Sequence, residues 1–197
     1  MKVFLDVGAH RGQTLAAVLD QQLGFDRIVC FEPSKSCWEH LEAIEDARVS
    51  IKHFGLWDRN CKAPIFEPGS QTAGLWKKDE GRFDETEVCK FKRASDWMRD
   101  NVAYSDVVYL KLNCEGAECD ILDDLLDSGE FVKVNFAMID FDVRKISSQA
   151  HREAEVRARL QQFRFPRVAF SKQVMCGDTH EERIRNWLRL VELKAAA

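Results

Sequence analysis

FLDVGAHRGQT, residues 4–14, is the stretch whose reading decides the fold. Val3, Phe4, Leu5 and Val7 form an apolar run, Gly8 to Gly12 interrupt it, and Leu15, Val18, Leu19 and Leu23 follow at helical spacing. The pattern is strand, glycine turn, helix. Glycine lets the backbone approach a ligand closely, and the free N–H groups of a helix start face anionic or oxygen-rich groups. A ligand is therefore expected at the carboxyl end of the first strand, against Gly8, Ala9, His10 and Gly12.

Further along, RIVCFEP (27–33) reads as a second strand ending in Glu32 and Pro33. An acid about twenty residues beyond the turn is the usual partner of the ribose hydroxyls of an adenosine group. A dinucleotide site has the spacing G-x-G-x-x-G and room for a pyrophosphate; here Gly8 and Gly12 alone frame the turn, and Asp6 precedes it. A carboxylate at Asp6 disfavours a pyrophosphate and suits an ammonium group, such as that of S-adenosyl-L-methionine (SAM).

The remaining segments alternate strand and helix. VSIKHFGLWD (49–58) reads as a third strand, with Asp58 at its end placed to accept from an adenine amino group. Ser36 to Glu39 has the form of a capping box opening a helix with Trp38, Leu41 and Ile44 on its buried stripe. Residues 59–92 form an irregular insertion with short strand-like pieces at 64–67 and 88–91, expected as a small hairpin at the sheet edge. DVVYLKLN (106–113) is a buried strand leading through CEGAE into a helix with Ile121, Leu122, Leu125 and Leu126. VNFAMIDFD (134–142), FPRVAFS and NWLRLVEL read as later strands. The pattern predicts one α/β domain over 1–197, a doubly wound, mostly parallel seven-stranded sheet of Rossmann-like type. Its crevice lies between the strand ending at Gly8 and the one ending at Asn113, rimmed by Glu32, Asp58, Asn113 to Glu115 and Asp140 to Asp142.

Composition narrows the partners. Seven cysteines, an odd number without a C-x-x-C pair, indicate neither a disulfide framework nor a zinc site, so no metal is expected and the thiols read as reduced in a cytoplasmic protein. No apolar run approaches membrane-spanning length, and because MKVFLDVG reads directly as the first strand, no signal peptide is expected. Net charge is −4 and the pI is near 5.8, which does not favour nucleic acid. The charge is uneven, acidic up to residue 143 and basic beyond, where Glu153/Arg157 and Glu155/Arg159 stand four apart as on a solvated helix face.

Four segments together, DVGAHRGQT, FEPSKSCWEHL, GLWDRNCKAPIF and VYLKLNCEGAECDIL, resemble the FkbM-type SAM-dependent methyltransferases over about residues 4–126. The resemblance implies that Asp6, Gly8 and Gly12 hold the methionine end of SAM, that Glu32 holds the ribose, and that Asp58 lies by the adenine. It also implies O-methylation of a hydroxyl on a sugar or small metabolite. In the fourth motif Lys111, Glu115, Gly116 and Glu118 match, while Asn113 replaces an aspartate. An amide is no general base, so Glu115 is the preferred carboxylate, followed by Asp140 and His10, with Asn113 orienting the acceptor or the SAM amino group. Relatives often carry a segment before the first motif that closes the site; without it, closure is expected from residues 67–92 or from a second subunit of a homodimer. A SAM-binding module without catalysis and a nicotinamide-dependent oxidoreductase are the alternative readings.

Overall fold

The computed structural model describes residues 1–77, 85–162, 167–170 and 176–195. Its strands are β1 (Lys2–Val7), β2 (Arg27–Phe31), β3 (Val49–Lys52), β4 (Gly55–Trp57), β5 (Cys61–Phe66), β6 (Thr86–Arg93), β7 (Val107–Leu112), β8 (Val134–Ile139) and β9 (Arg167–Phe170). The α-helices are α1 (Leu15–Val18), α2 (Lys35–Glu42), α3 (Ala94–Asn101), α4 (Glu118–Asp127), α5 (Arg152–Leu160) and α6 (His180–Ala195).

Six parallel strands make the main sheet in the order β3-β2-β1-β7-β8-β9. Residues of β1 alternate between its two faces, as the period of two in a strand requires. Val3, Leu5 and Val7 join a core with Trp97 and Met98 of α3, Ile121, Leu122 and Leu125 of α4 and Val156 of α5. Phe4 joins the opposite core, with Leu15 and Val18 of α1, Leu41 of α2 and Ile184, Trp187 and Leu188 of α6. Helices thus cover both faces, the doubly wound arrangement predicted from the alternation of segments. Since β1 has β2 on one side and β7 on the other, the switch point of the sheet falls at the carboxyl ends of β1 and β7.

Three expectations are corrected. Among the described residues the main sheet has six strands, because NWLRLVEL is helical. Ile184, Trp187, Leu188 and Val191, spaced by three, one and three, form the buried stripe of a helix. Thr179 and Glu182 cap it reciprocally: the Glu182 N–H donates to Thr179 Oγ1 (3.2 Å) and the Thr179 N–H to Glu182 Oε2 (3.3 Å). Second, residues 49–58 are not one strand. The chain leaves the main sheet after Lys52, with His53 stacked on Trp38 and Phe54 against Phe31, and β4 pairs in parallel with β6 of a separate three-stranded sheet. The expected hairpin lies in that sheet, where β5 and β6 run antiparallel with Pro64 opposite Val88. Pro64 sits on the edge strand, where its missing N–H is tolerated. Third, α2 starts two residues earlier than the capping box implied. Ser34 is its N-cap, and Glu87 of β6 receives the Lys35 N–H (3.1 Å) and the Ser34 hydroxyl (2.9 Å). Among the described residues no helix is long and apolar enough to cross a membrane.

Candidate active site

A cavity of about 330 Å³ opens at the switch point. Of the residues singled out from sequence, Gly8, Ala9, His10, Glu32, Pro33, Asn113 and Glu115 line it. Gly8 has φ +80°, and a Cβ there would lie 1.9 Å from the Asn113 carbonyl oxygen, so β1 and β7 approach this closely only with glycine.

Glu32 stands at the end of β2, 6% exposed. Its Oε2 accepts the His10 N–H (2.8 Å) and its Oε1 the Ser34 N–H (2.9 Å), which fix the carboxyl at the rim of the turn. Burial pushes its pKa up to about 7, against the lowering effect of those two backbone donors. Beside it the wall is apolar: Pro33, Gly55, Leu56, Ile65 and Phe91. His10, held at φ +49°, is engaged at both ring nitrogens, with Nδ1 facing Gln13 and Nε2 3.2 Å from the Gly69 carbonyl oxygen. It clasps the first turn to the stretch Gly69 to Leu75, which lines the cavity from the inserted sheet. The first part of the 67–92 segment thus lines the cavity; residues 78–84 of that segment lie outside the described residues.

The turn after β7 is held by the motif that follows it. Lys111 lies opposite Asp6 in register; its Nζ is 2.9 Å from Asp6 Oδ1 and donates to the Gly8 carbonyl (2.8 Å). Glu118, wholly buried at the start of α4, accepts the Cys114 N–H (2.9 Å) and the Gly116 N–H (3.0 Å), and burial raises its pKa to about 7. The loop between them carries two residues with positive φ, Glu115 (+56°) and Gly116 (+115°). In this way Glu115 is presented to the cavity; behind it, outside the lining, Lys145 lies 3.4 Å from its Oε2 and 2.7 Å from Asp142 Oδ1. Asp142 is buried, and burial, reinforced by the Glu115 charge, raises its pKa. Asn113 Oδ1 is a buried acceptor with no hydrogen-bond partner among the described residues.

Four predicted site residues do not line the cavity. Asp6 is fully buried with Lys111 Nζ 2.9 Å from its Oδ1, although neither carboxylate oxygen makes a hydrogen bond among the described residues. Gly12 packs beneath the turn, where a Cβ would lie 3.0 Å from Ile44. Asp58 lies beyond the end of β4 and pairs with Arg59 (2.7 Å), because the chain has left the main sheet before reaching it. Asp140 pairs with Arg144 at 2.9 Å. Sequence reasoning missed Lys111 as the tie between the two strand ends, and it missed His180 and Arg183, which α6 brings to the cavity. His180 Nε2 is 3.1 Å from Thr14 Oγ1, and burial lowers its pKa. The signal for both was the Thr179/Glu182 capping box.

The parallel order, the glycine turn, the strand-end acid and the cavity at the β1/β7 switch point define a Rossmann-like α/β protein of the methyltransferase type. A family model described as the methyltransferase FkbM domain matches residues 6–167, and the chain belongs to that family. Among solved structures, the methyltransferase FkbM from Methylobacillus flagellatus KT aligns at 18% identity with a TM-score of 0.43. That alignment covers 64% of this chain and 29% of the other, so this chain spans under a third of that protein's length. A search of curated proteins found no match.

Proposed function

We propose that this chain is a SAM-dependent methyltransferase acting on a hydroxyl group of a sugar or other small metabolite. The observation that carries the cofactor is Glu32, a buried strand-end carboxyl fixed beside the Gly8 turn and next to an apolar wall. In this reading Glu32 accepts from the ribose hydroxyls, and the surface of Pro33, Leu56, Ile65 and Phe91 takes the adenine ring. Asn113 Oδ1, a buried acceptor without a hydrogen-bond partner among the described residues, suits the ammonium group of the methionine end. Bound SAM supplies an electrophilic methyl group on a sulfonium. What the chain itself must do is orient the acceptor in line, exclude water and remove a proton. Gly69 to Leu75 exclude water, and Glu115 takes the proton from the acceptor hydroxyl.

Calorimetry tests the assignment. Glu32→Ala removes a charge-assisted contact and is expected to weaken SAM binding by about ten- to a hundred-fold. Unchanged SAM affinity in the variant, or tighter binding of NAD than of SAM by the parent protein, contradicts it.

A further inference from the structure

Arg183 lies beyond the residues that the family model matches, yet it lines the same cavity. It sits one turn into α6, three residues after His180, whose ring meets Thr14 next to the glycine turn. The helix is fixed in place. Ile184, Trp187 and Leu188 are fully buried in the core with Phe4, Leu15 and Val18, and Arg185 reaches Asp20 (3.3 Å) and the Ala16 carbonyl (3.2 Å). Among the described residues two cationic side chains, Lys111 and Arg183, line the cavity. Lys111 is committed to Asp6 and to the Gly8 carbonyl. Arg183 is held by its Nε alone, which donates to the Gly177 carbonyl (2.9 Å); among the described residues its two Nη groups make no hydrogen bond. A guanidinium steadied at Nε presents the paired donors that match a carboxylate bidentately.

We infer that Arg183 is the anchor for the carboxylate of the cofactor's amino-acid end, so that α6, outside the family-matched segment, completes the binding site. The inference rests on the SAM reading above. It gives the amino-acid end two opposite contacts, Asn113 Oδ1 for the ammonium and Arg183 for the carboxylate, where Asp6 is already taken by Lys111.

The test uses three ligands that differ in known groups: SAM, decarboxylated SAM and methylthioadenosine, each titrated calorimetrically into the parent chain, Arg183→Gln and Arg183→Lys. The parent is expected to prefer SAM to decarboxylated SAM. Arg183→Gln should weaken SAM about ten- to a hundred-fold and leave the two ligands without a carboxylate nearly unchanged, which also shows that the variant is folded. Arg183→Lys, retaining charge without the fork, should fall between. Equal affinity of the parent for SAM and its decarboxylated form overturns the inference while leaving the cofactor intact. So does an equal loss for all three ligands in Arg183→Gln. A parent chain that binds none of them overturns the cofactor reading and this inference together.

Discussion

Two carboxyl groups, Glu32 and Glu118, are pushed by burial to about 7, and they do different work with the same physics. Each binds a proton more tightly folded than unfolded, so each stabilises the fold most below its ordinary value near 4.5, and that contribution is lost as pH rises to about 7. Urea unfolding between pH 5 and 8 should therefore show stability falling with pH, with a shallower fall in Glu118→Gln; an unchanged slope in that variant removes Glu118 from the account. Ligand binding should run the other way. Ribose hydroxyls donate to the ionised carboxylate, so SAM affinity is expected to rise between pH 6 and 8, with proton release, and to lose this dependence in Glu32→Gln. Affinity independent of pH in the parent chain contradicts the Glu32 role. At Glu115, replacement by Gln keeps shape but removes the base, and turnover should fall roughly a hundred-fold while SAM affinity holds. Full activity of Glu115→Gln on an identified acceptor rejects it as the base. Sequence spacing singled out Glu32 and Glu115 because each sits at a strand end or just past one, while Glu118 entered only through the motif resemblance. The Lys111 neighbour of Asp6 was not legible, because it depends on β1 lying beside β7 in a given register, which no local pattern reveals.

At the scale of elements, the glycine turn was legible because Gly8 is required twice, by its φ of +80° and by the Asn113 carbonyl. The two requirements can be separated. Gly129 has nearly the same φ, +78°, with nothing within 4 Å of the place where a Cβ would be. Gly129→Ala should show the cost of left-handed backbone alone, about 1 kcal/mol, whereas Gly8→Ala should cost clearly more and also abolish SAM binding, since β1 and β7 must part. Equal urea midpoints for the two variants remove the close approach from the explanation. Helix α6 was illegible in the NWLRLVEL window for a related reason. In those eight residues Leu188 and Leu190 flank Arg189, and Val191 and Leu193 flank Glu192, which reads as strand alternation. The helical stripe emerges only when Ile184 is included and the Thr179/Glu182 cap is taken as the start. The split between β3 and β4 was hidden because strand propensity continues through Phe54 to Trp57, while their partners, β2 and β6, belong to different sheets.

For the whole molecule, the doubly wound plan means that each face of the sheet needs its own helical cover, and the family match ends at residue 167, before one cover is complete. On the face of Phe4, the other helices are short: α1 has four residues and α2 eight, against sixteen for α6. The Trp187 ring lies at the centre, 6.2 Å from Phe4 and 6.4 Å from Tyr109, with Ile184, Leu188 and Val191 around it. Burying four such apolar side chains contributes roughly 1.5–3 kcal/mol each, so α6 supplies roughly 6–12 kcal/mol from these alone. That is as large as the whole stability of an ordinary domain, about 5–15 kcal/mol. A chain ending at Phe170 keeps every residue of the family match and all six strands of the main sheet, yet it should lack a cooperative urea transition, bind a hydrophobic dye and bind no SAM. Trp187→Ala, the smaller cut through the same contact, should lower stability by about 3–5 kcal/mol while the SAM site remains. If the shortened chain unfolds cooperatively near the parent's midpoint, the matched segment is self-sufficient, and the double role of α6, as cover for the sheet and as bearer of Arg183, fails at its structural base.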